Sequence, residues 1–153
     1  MTMEEKNRYY IPESSDMYIG YKYESLGDYD QWYQHIADDR SIEPVSWMIE
    51  NGIVRTKYLD KEDIESLGWT NIRDVERWLG KPPMYYWAAD YKNAMLGYNP
   101  EDHTIVITYK DPCKSIDGKE DEYNYPETKY GQFRGECKSI NELRKLMQWL
   151  NIK

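Results

Sequence analysis

MYYWAADYKNAMLGYNPEDHTIVITY, residues 84–109, decides how this chain is built. Three short runs stand in it, Met84–Ala88, Ala94–Tyr98 and Thr104–Tyr109. The first and the last are rich in the aromatic and β-branched residues that suit a pleated, half-buried surface. Asn99-Pro100-Glu101-Asp102 separates the last two runs with turn-forming residues. Successive strands joined by short turns pair antiparallel, so the stretch predicts a meander.

Downstream, residues 110–129 are polar and carry Pro112, Gly118 and Pro126, the composition of a long loop. Tyr130 to Cys137 reads as a closing strand. Ser139-Ile140-Asn141-Glu142 then fits a capping box, in which Ser and Glu side chains each occupy an orphan backbone N–H. Leu143, Leu146, Met147 and Leu150 recur at i, i+3, i+4 and i+7 and form one apolar helix face.

Upstream the signals are more mixed. Val45 to Ile49 and Ile53 to Tyr58 flank Asn51-Gly52, a dipeptide that tolerates positive φ and predicts a hairpin. Asp60 opens a helix through Leu67, with acids in its first turns and Gly68 as C-terminal cap. A second short helix is expected from Asn71 to Leu79, closed by Gly80. Met17 to Tyr23 is a strand candidate, Trp32, Tyr33 and Ile36 suggest a short helix face, and residues 1–16 read as a loose arm. The expected fold is therefore α+β, one domain over residues 1–153. Its core is a mostly antiparallel sheet meander with two or three helices, the C-terminal one packed on one face.

The chain has 153 residues and a net charge of −8. Residues 1–43 hold four basic residues against ten acids, whereas residues 130–153 hold five against two. An acidic chain is a poor partner for duplex DNA, whose affinity comes mostly from phosphate neutralisation. No apolar run approaches the ~20 residues that span a bilayer, and the N-terminus lacks the basic and apolar regions of a secretory signal. A cytoplasmic protein is expected, with Cys113 and Cys137 as free thiols. No membrane partner is expected, and self-association stays open.

Three islands carry a resemblance. They are Tyr18-Ile19-Gly20-Tyr21, the run from Val54 through Gly68-Trp69, and Phe133-Arg134-Gly135 ahead of Ile140-Asn141-Glu142-Leu143. Together they resemble a loose group of small uncharacterised accessory proteins of tailed bacteriophages and prophages. The resemblance covers about half the chain and implies a role inside an infected bacterium, hence the host cytoplasm. It implies no activity and no catalytic residue.

Among chemical candidates, Glu136-Cys137-Lys138 places an acid and a lysine on one strand face. With Asp102 or Asp111 upstream, such a pair suits a metal-dependent nuclease, but a charged pair on a solvated strand has the same letters. His35 near Asp38 and Asp39 has no nucleophile motif to serve, and no phosphate-cradling glycine loop occurs. No cofactor, metal or catalytic residue is therefore expected. The strongest candidates are aromatic: Tyr85, Trp87, Tyr91 and Tyr98, with Arg134 or Lys138 to pair a phosphate. The sequence thus favours a non-enzymatic binding protein. It would interfere with host defence by sequestering a small nucleotide-type signal or by masking a host defence protein. A nuclease using Glu136 and Lys138, or a minor virion component, are the rivals.

Overall fold

The computed structural model describes residues 3–38, 40, 42–89, 94–110 and 130–152. The expected loop 110–129 therefore lies outside the described residues, apart from Lys110, as do Tyr91 and Cys113. The fold is α+β, with two antiparallel sheets of four and five strands and a C-terminal helix. Residues 1–58 with 139–142 form one compact unit, and residues 59–138 with 143–153 form another.

The first unit contains α1 (Met3–Arg8), β1 (Tyr9–Tyr10), β2 (Lys22–Leu26), β3 (Trp32–Ile36), α2 (Ile42–Glu50) and β4 (Val54–Lys57). Its sheet runs β1-β4-β2-β3, and Met17, Tyr21, Tyr23, Ala37, Val45 and Val54 form its core. Three expectations are corrected here. Residues 3–10 are a short helix and a strand paired to β4, not a loose arm. Residues 32–36 are an edge strand, because all five pair across β2.

The third correction concerns Asn51-Gly52, which ends a helix instead of turning a hairpin. Gly52 has φ +69, its N–H donates to the Ile49 carbonyl at 3.0 Å, and the Ile53 N–H donates to the Met48 carbonyl at 3.1 Å. This is the Schellman pattern, and the left-handed residue it needs is the same one a hairpin turn needs.

A polar row crosses this sheet. The Arg55 guanidinium lies 3.6 Å from the Tyr9 ring centroid and 4.1 Å from that of Trp32, and its Nε donates to Glu24 at 2.7 Å. Asn141 adds a backbone-like clamp. Its amide accepts from the Lys22 N–H at 2.7 Å and donates to the Lys22 carbonyl at 2.9 Å.

The second unit contains α3 (Lys61–Ser66), β5 (Trp69–Val75), β6 (Met84–Ala89), β7 (Ala94–Asn99), β8 (Thr104–Lys110), β9 (Tyr130–Glu136) and most of α4 (Ile140–Trp149). Asp60 caps α3 by accepting from the Asp63 N–H at 2.9 Å. The five strands form an uninterrupted antiparallel meander, β5-β6-β7-β8-β9. Residues 71–75 are strand rather than helix. Pairing with β6 holds them extended, with a bulge between Asn71 and Arg73.

The β5–β6 hairpin turns through Trp78-Leu79-Gly80-Lys81. Leu79 and Gly80 have φ +49 and +75, and the Lys81 N–H donates to the Trp78 carbonyl at 2.9 Å. This is a type I′ turn with an exposed leucine where Asn is the favoured residue. Leu79→Asn is expected to raise stability by up to about 1 kcal/mol, since asparagine bears the left-handed region better. Urea denaturation checks this, and a lower midpoint would count against the assigned turn.

Alternation along the meander defines two faces. On the covered face lie Trp69, Trp87, Leu96, Tyr98, Ile105 and Ile107, all buried. The Trp69 indole N–H donates to Met147 Sδ of α4 at 3.3 Å, and Trp87 Nε1 lies 3.5 Å from Glu65 of α3. Buried Ile64, Leu143 and Met147 supply the helix side of this core, so α4 packs on one face of the sheet. Among the described residues, no helix is long and apolar enough to cross a membrane.

Candidate binding face

Among the described residues of this unit, the other face of the five-stranded sheet is open, with Met95 and Arg134 exposed and Met84, Tyr86 and Val106 half-buried. Register places Arg73, Tyr86, Gly97, Val106 and Arg134 directly opposite one another in one row across all five strands. Directly opposed residues in antiparallel strands project to the same face. Gly97 is what allows the centre of the row to be flat. A Cβ built there would lie 3.2 Å from the Tyr86 ring and 3.3 Å from the Met84 methyl group. The Tyr86 ring therefore rests on backbone, with its outer surface half-exposed. A glycine inside a strand often marks such a close approach.

Both ends of the row are cationic. Arg73 and Arg134 are exposed, and among the described residues neither has an ion pair or a side-chain hydrogen bond. Beside the row lie Met84, Met95, Thr104 and Thr108, half-buried or exposed. The arrangement is a flat aromatic and aliphatic strip with a guanidinium at each edge. It can stack a planar group and pair with anions. Charge is also divided unevenly between the units. Residues 1–58 with 139–142 hold 6 basic against 12 acidic residues, whereas the second unit holds 14 against 16.

The aromatic residues singled out from sequence lie elsewhere. Tyr85, Trp87 and Tyr98 share the covered face, opposite to Arg134. Trp87 is 0% exposed and Tyr98 1%. The Tyr98 hydroxyl donates to the Leu59 carbonyl at 2.9 Å and lies 3.0 Å from His103 Nδ1. Burial holds the Tyr98 hydroxyl above its usual range and His103 below its own. Tyr85 is half-buried, with Lys61 Nζ 4.0 Å from its ring centroid. A pocket joining these three rings to Arg134 is thus ruled out by the period of two, and Tyr86 is the aromatic on the arginine's face. The signal was present in Thr104–Tyr109. Isoleucine at the odd positions and Thr or Val at the even ones mark the buried side, and this parity carries through β7 to β6.

Lys138 Nζ pairs with Glu136 at 3.1 Å. Asp102 accepts from the Thr104 N–H at 2.9 Å inside its own turn, and Asp111 lies outside the described residues. Among the described residues no three His, Cys, Asp or Glu side chains converge as metal ligands. Cys137 is a buried free thiol. In the first unit, Ser25 Oγ lies 2.7 Å from His35 Nε2, and the His35 ring stacks on Tyr23. This dyad was not foreseen, because it joins neighbouring strands in a region read as helical. Ser25 is buried on a central strand, so the hydroxyl lacks the access that a nucleophile needs.

No family model matches this chain, and neither a curated protein nor a solved structure resembles it.

Proposed function

We propose that this chain is a non-enzymatic binding protein that takes a nucleotide-type ligand on the open face of the five-stranded sheet. Its role, on the resemblance of its sequence islands, is that of a phage accessory protein that keeps such a signal from a host defence system in the host cytoplasm. One observation carries the reading. The Tyr86 ring packs on Gly97, in register with Arg73 and Arg134, two exposed guanidinium groups without an ionic partner among the described residues. Base–aromatic stacking contributes about 1–3 kcal/mol per base, and a guanidinium adds direction through its fork of donors.

Isothermal titration with mononucleotides, dinucleotides and cyclic nucleotides tests the proposal. Binding is expected to weaken by about 1–3 kcal/mol in Tyr86→Ala, while Trp87→Phe leaves it unchanged. Absence of binding by every nucleotide class would remove the reading. The alternative is that the chain masks a host defence protein. The apolar hairpin tip favours it, with Trp78 72% and Leu79 79% exposed. It predicts a host protein retained on purification and lost in Trp78→Ser.

A further inference from the structure

The spacing of the two arginines constrains what can lie between them. Adjacent strands are about 4.8 Å apart. Arg73 on β5 is one strand from Tyr86 on β6, and Arg134 on β9 is three strands from it on the other side. The Tyr86 ring rests on Gly97 of β7, so a base stacked on it lies two strand spacings, about 10 Å, from the backbone of either arginine. A mononucleotide stacked on Tyr86 carries its phosphate one sugar away from the base. Its single phosphate can meet one arginine, but not both.

A ligand that uses both arginines must place phosphates on both sides of the stacked base and continue across the sheet. Beyond the Tyr86 ring on Gly97, only Val106 stands before Arg134 in the row. That leaves a level floor for a second base. Thr104 and Thr108 flank Val106 on the same face and offer hydroxyls to base edges without demanding one base. Duplex nucleic acid does not fit, because its bases are stacked on one another and unavailable to Tyr86.

We infer that the open face holds a short single-stranded oligonucleotide laid across the strands, with one base on Tyr86 and phosphates at Arg73 and Arg134. The inference rests on the nucleotide-binding reading above and narrows its ligand class. Two phosphate contacts on a single strand release few counterions, so the salt dependence is shallow, with a slope of log Kobs against log salt of about −1.4. This suits a chain of net charge −8, in which affinity comes from stacking rather than from a basic field.

The test uses the full chain, a fluorescein-labelled hexathymidylate or hexauridylate followed by anisotropy, and the mononucleotide and a cyclic dinucleotide followed by calorimetry. The hexamer is expected to bind at least about tenfold more tightly than the mononucleotide, with one such factor per added anchor. Arg73→Ala and Arg134→Ala should each weaken the hexamer and reduce its salt slope by about 0.7, whereas no more than one of the two should weaken the mononucleotide. Tyr86→Leu, which keeps an apolar cover on Gly97, should weaken hexamer and mononucleotide alike, with thermal melting to show that the variant folds. Equal affinity for hexamer and mononucleotide, or indifference of the hexamer to Arg134→Ala, would overturn the two-anchor ligand and leave the nucleotide reading standing. Tighter binding of the cyclic dinucleotide than of the hexamer would do the same in favour of a compact signal. Failure of all three to bind would remove both.

Discussion

Trp87→Ala is expected to destabilise the second unit by about 3–5 kcal/mol, the cost of deleting a fully buried tryptophan and leaving a cavity. Trp87 sits in the central part of the meander, directly opposite Leu96 on β7 and Asn71 on β5. Its ring meets Tyr85 edge-on with centroids 6.4 Å apart. Strands are fixed on both sides of it and α3 covers it, so the surroundings have little freedom to collapse. Such a loss is a large fraction of the 5–15 kcal/mol that holds a typical domain together. Trp87→Phe should cost clearly less, because most of the volume stays. Equilibrium urea unfolding followed by circular dichroism gives both values. A cost under about 1 kcal/mol for the alanine variant would mean that the covered face is not packed as described.

The second large effect belongs to Asn141. Its side chain is fully buried and satisfies both the N–H and the carbonyl of Lys22, as a neighbouring strand would. Asn141→Leu keeps the volume but leaves one backbone donor and one acceptor without partners. Each costs about 1–3 kcal/mol when buried, so the expected loss is about 2–6 kcal/mol in the first unit. Asn141→Asp should restore only the bond from the Lys22 N–H and oppose the carbonyl with a charge. It should therefore be no more stable than the leucine variant near neutral pH and should recover some stability as acid protonates the carboxyl. Amide hydrogen exchange at Lys22 reads the clamp directly. Protection unchanged in Asn141→Leu would remove the clamp from the account.

Where the sequence was legible, one force acted alone. Met84–Ala88, Ala94–Tyr98, Thr104–Tyr109 and the closing strand near residues 130–137 are strands as expected, because short β-rich runs between turns have no competing use. The helix after Asp60 carries a start signal, and the helix after Ser139 carries both a start signal and an apolar face. Where it was not legible, one local signal served two structures. Asn51-Gly52 supplies a positive φ equally to a hairpin and to a helix end, and only the burial of Val45 and the packing of Met48 and Ile49 decide for the helix. Residues 71–75 are strand because β6 pairs with them, a partner that no local window contains.

The candidate face was half legible. Arg134 and the aromatic tract were singled out together, but consecutive Tyr85, Tyr86 and Trp87 hide their own alternation, since every one is aromatic. Parity had to be brought from β8, where Ile105 and Ile107 mark the inside. Tyr86 was missed by one residue, which in a strand is the whole difference between interior and surface.

The clamp at Asn141 also sets an order of events during synthesis. Residues 139–142 belong to the same compact unit as residues 1–58, and the bond from Asn141 reaches back 119 positions to Lys22. When the ribosome has made residue 58, this unit still lacks four of its residues, and residues 59–138 must be translated before they arrive. At about 5–20 residues per second that is a wait of roughly 4–16 s. Over that interval the β2 backbone at Lys22 has only water or a foreign strand to bond. The nascent N-terminal segment thus waits for its last polar partner, and its assembly is completed only as the last helix is made.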